Sequence, residues 1–289
     1  MFSGDGGSDG GSDGGSRGRF LVLPMARRLE AEAQGHPLVL VPGKAGAAPG
    51  TVHGFPLRAW SPRLRAVAVL AEFATLDWKS GDCAAKAPPD SEAVLAKDVK
   101  TLRDAVPARA ERLDEILAQA KGFDDYLLQM LGGGPRPAAA AIVAAAVAIG
   151  QMVGMHWKWH FQRARPAQVY PALVPVIATP PHASYPSNHA LQSRLAALAL
   201  TEIFPEVPGD AAATELRKAY ELPLLLMADR IAENREVAGV HFPSDSVEGQ
   251  RLAKALLPLL MGLECFKTLL AEAQAETGQR IAGPPPQGL

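Results

Sequence analysis

Three short runs in the second half of this 289-residue chain carry the side chains best suited to hold and transform an oxyanion. The first is KWHFQRARP at 158–166, where Lys158 and Arg165 stand seven residues apart, two turns on one face if a helix continues that far. The second is SYPSNH at 184–189, with Ser187 where a helix N-cap belongs. A helix start there offers free N–H groups and the positive end of a dipole to an anion. His189, in its first turn, is then in reach to give a proton to an oxygen held at that end. The third is NREVAGVHFPSD at 234–245, in which Pro243 and Ser244 open another helix. Asp245 in its first turn can accept the Nδ1 proton of His241 and leave Nε2 as a nucleophile or a ligand. Taken singly, each run also has a plain structural explanation: a basic helix end, a serine cap beside an incidental histidine, an exposed histidine near a cap.

The elements that must position these runs read as helices. Ser61-Pro62 is an N-cap and first-turn pair, followed by apolar residues at helical spacing through Trp78. Further helices are expected near 91–105, 108–131, 137–162, 187–204, 211–239 and 244–274, with GGGPRP at 132–137 as a breaker. Pro166 biases Arg165 towards an extended conformation and ends the helix that carries Lys158. Residues 164–186 hold six prolines and read as a long functional loop. No internal repeat and no alternating strand pattern is visible. The expected architecture is all-α: a disordered Gly/Ser/Asp tail over 1–19, an extended strap over 20–60, one helical bundle over 61–274 and a flexible tail over 275–289.

Read together and in order, Lys158…Arg165-Pro166, then Pro186-Ser187-Asn188-His189, then Arg235…His241…Asp245, the runs resemble the three-part signature of the type-2 phosphatidate phosphatase/vanadium haloperoxidase superfamily. The resemblance covers 158–245 and implies a helical bundle. It further implies that Lys158, Arg165 and Arg235 hold the non-reacting oxygens of phosphate or vanadate, helped by Ser187 and the backbone N–H of Asn188. His241 would attack phosphorus to form a phosphohistidine, or bind vanadium through Nε2. Asp245 would orient His241, and His189 would protonate the leaving group or serve as acid–base towards peroxide. Two positions depart from the family pattern: Asn188 replaces a glycine and would add a side chain at the pocket wall, and Asn234 replaces a serine. His182, seven residues before His189, falls where the haloperoxidases of the family place an aromatic residue or histidine.

The expected function is therefore a phosphatase acting on phosphate monoesters or pyrophosphate, with no cofactor. One alternative is a vanadate-dependent haloperoxidase that oxidises halide, bromide rather than chloride, with hydrogen peroxide. Another is a non-catalytic oxyanion-binding protein, motivated by Asn188 and Asn234. The formal net charge of −1 gives no overall case for a nucleic-acid partner or an anionic membrane, so the anion site must come from a local cluster. Cys83 and Cys265 read as ordinary thiols. The uncharged run at 137–155 is long enough for the lower end of the membrane-spanning range, but alanine dominates it, and no membrane span is expected. No secretory signal is seen, and a cytoplasmic location is expected. Trp157 and Trp159 flank Lys158 and are expected to pack around the site; ALLPLLMGLE at 255–264 is core or a face for a homo-oligomer.

Overall fold

A computed structural model of the chain describes residues 59–132 and 134–281. The expectations for 1–19, for most of 20–60 and for 282–289 lie outside those residues. Ten α-helices are present among the described residues: α1 (Pro62–Phe73), α2 (Glu92–Asp104), α3 (Arg109–Lys121), α4 (Asp124–Gln129), α5 (Pro137–Phe161), α6 (Pro166–Val169), α7 (Asn188–Thr201), α8 (Ala211–Val237), α9 (Pro243–Gly262) and α10 (Glu264–Ile281). No strand occurs among them, and the fold is all-α.

Local chemistry explains most helix ends. Ser61, Ser91, Ser187 and Asp210 are N-caps whose side chains accept backbone N–H groups of α1, α2, α7 and α8. Pro137, Pro166 and Pro243 sit in first turns, where a missing N–H costs nothing. Elsewhere the boundaries depart from expectation. The helix predicted over 108–131 is two helices, because Gly122 takes an extended conformation that stops α3. The helix predicted over 244–274 breaks at Leu263, whose side chain is buried in the core. The Glu72 carboxylate then accepts the N–H groups of Glu264 and Cys265 and so caps α10. That last helix runs to Ile281, which replaces the flexible tail expected from residue 275. The loop over 164–186 contains α6 and a 3₁₀ turn at Pro171–Leu173.

Helices α5 and α7 lie at the centre. α5 packs against α1, α7 and α10, and α7 packs against α5, α8 and α9. Small residues let the central helices approach closely. A Cβ on Gly150 would sit 2.6 Å from Gln192 Cγ, and one on Gly249 would sit 2.6 Å from the Ser187 carbonyl oxygen. The alanines of α5 serve the same end: Ala138, Ala139, Ala141, Ala145 and Ala146 are all buried. The stretch Pro137–Val169 is long and apolar enough to cross a membrane by length and composition, with mean hydropathy 2.0, and 61% of its apolar window is buried by the rest of the chain. Cys83 and Cys265 are free thiols, and Leu256, Leu260 and Leu263 belong to the internal core.

The contact between α9 and α7 sets the spacing of the two helix starts that carry Asp245 and Ser187. At Gly249 the obstacle to a side chain is backbone, which cannot step aside. Gly249→Ala is therefore expected to destabilise the protein by about 1–3 kcal/mol through overpacking, although alanine favours a helix by about 1 kcal/mol over glycine. A urea-unfolding midpoint equal to or above that of the parent protein would contradict the close approach.

Candidate active site

Helix α5 ends at Phe161, and Gln162 turns the chain in the left-handed region (φ 52°). Lys158 and Arg165 are thus not two turns of one helix. They meet because both reach the same extended segment, 182–184. Lys158 Nζ donates to the carbonyls of Ala183 (2.9 Å) and Ser184 (2.7 Å). Arg165 donates from Nε to the His182 carbonyl (2.9 Å), from Nη2 to the Ala183 carbonyl (3.2 Å) and from Nη1 to the Val240 carbonyl (2.7 Å). Carbonyl oxygens thereby offset part of the cost of burying two cations. Arg235, on the last turn of α8, is buried as well, and its Nε and Nη1 have no hydrogen-bond partner among the described residues. Buried guanidinium N–H groups are seldom left so, and these are suited to an oxyanion.

His241 precedes α9 and is 2% exposed. Its Nδ1 lies 3.0 Å from Asp245 Oδ2, and its Nε2 lies 3.1 Å from Arg165 Nη1. A carboxylate accepts and a guanidinium donates, so Nδ1 carries the proton and Nε2 presents a lone pair. Asp245 is fully buried and saturated. Oδ2 also accepts from Ser184 Oγ (2.5 Å) and the Phe242 N–H (3.0 Å), and Oδ1 accepts from Arg163 Nη1 (2.6 Å). The Asp245 carbonyl accepts from the Ser187 N–H (3.0 Å), which ties the start of α9 to the start of α7.

Ser187 caps α7, its Oγ accepting from the Ala190 N–H. Asn188 follows with no positive φ, and its side chain is laid on α5 rather than on a pocket wall. Nδ2 donates to Gln151 Oε1 (3.0 Å), and Gly154 leaves the room, since a Cβ there would lie 2.0 Å from Asn188 Oδ1. His189 is half-buried beside Phe123 (ring centroids 5.6 Å), with Nε2 3.4 Å from the Gln119 carbonyl. Half-buried His182 puts Nδ1 3.0 Å from Arg165 Nη2. Of the two tryptophans beside Lys158, Trp157 is buried but Trp159 is 80% exposed, so only the first is packed inside as expected.

The electrostatics follow from this burial. Desolvation pushes the Lys158 ammonium well below its usual range, and Arg165 adds to the shift; Arg165 and Arg235 are each lowered to about 10 by burial. Burial, then the neighbouring cations, holds His189 at about 3, His182 at about 4 and His241 well below the ordinary histidine range. The site thus gathers three buried basic side chains and three imidazoles whose burial disfavours their charged forms.

Two groups in this site carry no obvious sequence signal. Arg163 lies inside the first run, yet it faces Asp245, Ser244 (Oγ, 2.8 Å) and Asp90 (3.0 Å) rather than the pocket, with Phe242 under its guanidinium (4.5 Å). Gln119 contributes a backbone carbonyl from a helix far upstream. A surplus of basic residues in the first run was the only available hint of Arg163.

Residues 139–264 match the family model described as PAP2 superfamily. No curated protein matches the chain. Among solved structures, a transmembrane PAP2 type phosphatidylglycerolphosphate phosphatase from Bacillus subtilis is similar at 17% identity and a TM-score of 0.46, over 70% of this chain and 94% of that one. A likeness that loose bears on no residue of the site.

The neutral histidines have a consequence for stability. Their folded pKa values lie below the unfolded value of about 6.5, so the unfolded chain takes up protons first as pH falls. Their contribution is present above about pH 6.5 and is lost as pH falls towards 4, at about 1.4 kcal/mol per pH unit for each net proton. Glu236, raised to about 7 by burial, works in the opposite sense and cancels one histidine's share. Burial also lowers His156 and raises Asp124, so four depressed histidines stand against two raised carboxyls, and denaturant unfolding between about pH 6.5 and 4.5 is expected to show a net loss of stability on acidification. A flat profile would mean that the imidazoles are not held neutral.

Proposed function

We propose that the chain, whose residues 139–264 match the PAP2 superfamily model, is a phosphatase of that superfamily that hydrolyses phosphate monoesters or pyrophosphate through a phosphohistidine on His241. The observation that carries this reading is a buried imidazole whose Nδ1 is taken by Asp245 and whose Nε2 faces a cluster of buried cations. A nucleophile among cations suits an anionic electrophile: Lys158, Arg165, Arg235 and the first turn of α7 neutralise the oxygens that would otherwise repel it.

The steps balance within this set of residues. A bound phosphoryl group gives Arg165 Nη1 a stronger acceptor than the imidazole, and the Nε2 lone pair is released. Nε2 attacks phosphorus as the bond to the leaving oxygen breaks, and His189 supplies the proton that oxygen requires. Water, deprotonated by His189, then cleaves the phosphorus–nitrogen bond. The charge of the bound anion offsets the three cations and raises the His189 pKa from its resting value of about 3 towards a useful range. No divalent metal is required for these steps.

A second reading, halide oxidation by hydrogen peroxide with vanadate, is favoured by one contact, that of His182 Nδ1 with Arg165 Nη2. Vanadate, when bound, supplies Lewis-acid activation of peroxide. His241 Nε2 would hold it, and the unpartnered Nε and Nη1 of Arg235 fit its oxygens as they fit those of phosphate. We also read α5 as the core helix of a water-soluble protein rather than a membrane span, since 61% of its apolar window is covered by the chain itself.

Two assays on the purified protein decide among these readings. One follows p-nitrophenyl phosphate hydrolysis with and without vanadate, and the other follows dye bromination by peroxide and bromide after vanadate loading. Hydrolysis that vanadate inhibits, without bromination, is the expected result. Vanadate-dependent bromination would replace the phosphatase reading with the haloperoxidase one, and vanadate binding with neither activity would leave a binding protein. Lys158→Ala, Arg165→Ala and Arg235→Ala are each expected to weaken vanadate inhibition about tenfold or more, the loss of a charge-assisted contact of about 1.5–3 kcal/mol. Unchanged inhibition in all three would place the oxyanion elsewhere.

A further inference from the structure

Helix α3 lies outside the segment matched by the family model, yet its last turn reaches the site. Gln119 is the third residue from the end of that helix, so its carbonyl has no N–H partner four residues on within the helix. His189 Nε2 lies 3.4 Å from it. A carbonyl only accepts, so Nε2 carries the proton and Nδ1 is the nitrogen left to exchange one with substrate. The negative end of the α3 dipole faces the same ring and favours its protonated form, as an acid working among three cations needs.

The turn is held by a polar network of which only Asn234 lies within the three sequence runs. Gln119 is fully buried; its Oε1 accepts from Asn234 Nδ2 (2.9 Å), and its Nε2 donates to Glu115 Oε1 (2.9 Å). Glu115 in turn takes both Nε and Nη2 of Arg230 (3.0 and 2.8 Å to Oε2), one turn before Asn234 on α8. Arg112 Nη1 closes the set on Asn234 Oδ1 (3.4 Å) and Glu233 (3.2 Å). Asn234 stands directly before the anion-binding candidate Arg235. Its amide spans the distance to Gln119, which the shorter side chain of a serine at that position would not.

We propose that the C-terminal turn of α3 is the positioning element for His189: the Gln119 carbonyl fixes the Nε2–H tautomer, Nδ1 delivers the proton to the leaving oxygen, and the Asn234–Gln119–Glu115 network keeps the turn in register with Arg235. This rests on the acid role given to His189 above. Gln119 and Asn234 are positioning residues and touch no substrate.

The experiment compares two substrates that differ in their need for an acid. p-Nitrophenyl phosphate expels a stable phenolate, whereas glycerol 2-phosphate expels an alkoxide that must be protonated. Gln119→Ala and Asn234→Ala are expected to lower the ratio of kcat for the glycerol ester to kcat for the nitrophenyl ester by roughly tenfold, part of the effect of a positioned acid. His189→Ala should skew that ratio in the same direction and further. Equal losses on both substrates, or an unchanged ratio, would reduce the network to general structural support and overturn the proposal. Nitrogen-15 NMR of His189 in the unsubstituted protein at neutral pH gives a second readout that needs no variant to fold and no turnover. A signal from protonated Nε2 and bare Nδ1 is expected, and the opposite tautomer overturns the assignment even if the protein proves to be no phosphatase.

Discussion

Burying three cations within one pocket is costly, and the arrangement of this protein follows from how that cost is met. Lys158, Arg165 and Arg235 lie together with Asp245 as the fully buried carboxylate beside them, and Asp245 is already engaged by His241, Ser184, Arg163 and a backbone N–H. Backbone carbonyls supply much of the rest: Val240, His182, Ala183 and Ser184 all accept from Lys158 or Arg165. Those carbonyls are free to accept because residues 182–184 and 240 lie outside helices and strands. The proline-rich segment is thus a polar lining, kept irregular so that its carbonyl groups point at buried charge. Arg235 is not solvated in this way: its Nε and Nη1 have no partner among the described residues, and under the function proposed above an anionic ligand would meet them.

The helix packing serves this lining. Gly150, Gly154 and Gly249 let α5, α7 and α9 approach until side chains or backbone touch where a Cβ would lie. The start of α7 is thereby pressed against α5 on one side and α9 on the other. The Ser187 N–H to Asp245 carbonyl bond then registers the two helix starts against each other. Upstream residues complete the site from outside. Asp90 and Asp98 surround Arg163 behind Asp245, with Asp98 also accepting from Ser244, and Arg109 secures the end of α8 by donating to Val237, Leu173 and Val174.

Much of this arrangement is legible in the amino-acid sequence. Polar side chains at fixed spacings marked out residues that the fold brings together, and Ser-Pro, Pro-Ser and Gly/Pro punctuation placed most helix starts. What could not be read has physical reasons. The division between α3 and α4 turns on one glycine in an extended conformation, which composition does not distinguish from a tolerated helical glycine. The meeting of Lys158 with Arg165 depends on a left-handed turn at Gln162, a residue with no special preference for it. Gln119 acts through its carbonyl, an atom every residue shares. Asn188 looked like a side chain added to the pocket, and only the space left by Gly154 on another helix shows where that side chain goes.

The central claim is that His241 Nε2 is a nucleophile aimed at an oxyanion. Its most direct test is to mix the protein with a phosphate ester, quench rapidly under alkaline conditions that preserve phosphohistidine, and map the modified peptide by mass spectrometry. The account predicts a phosphoryl group on His241, absent from protein quenched before substrate is added. Hydrolysis that proceeds with the phosphoryl group on another residue, or with none trapped at any time, would contradict it.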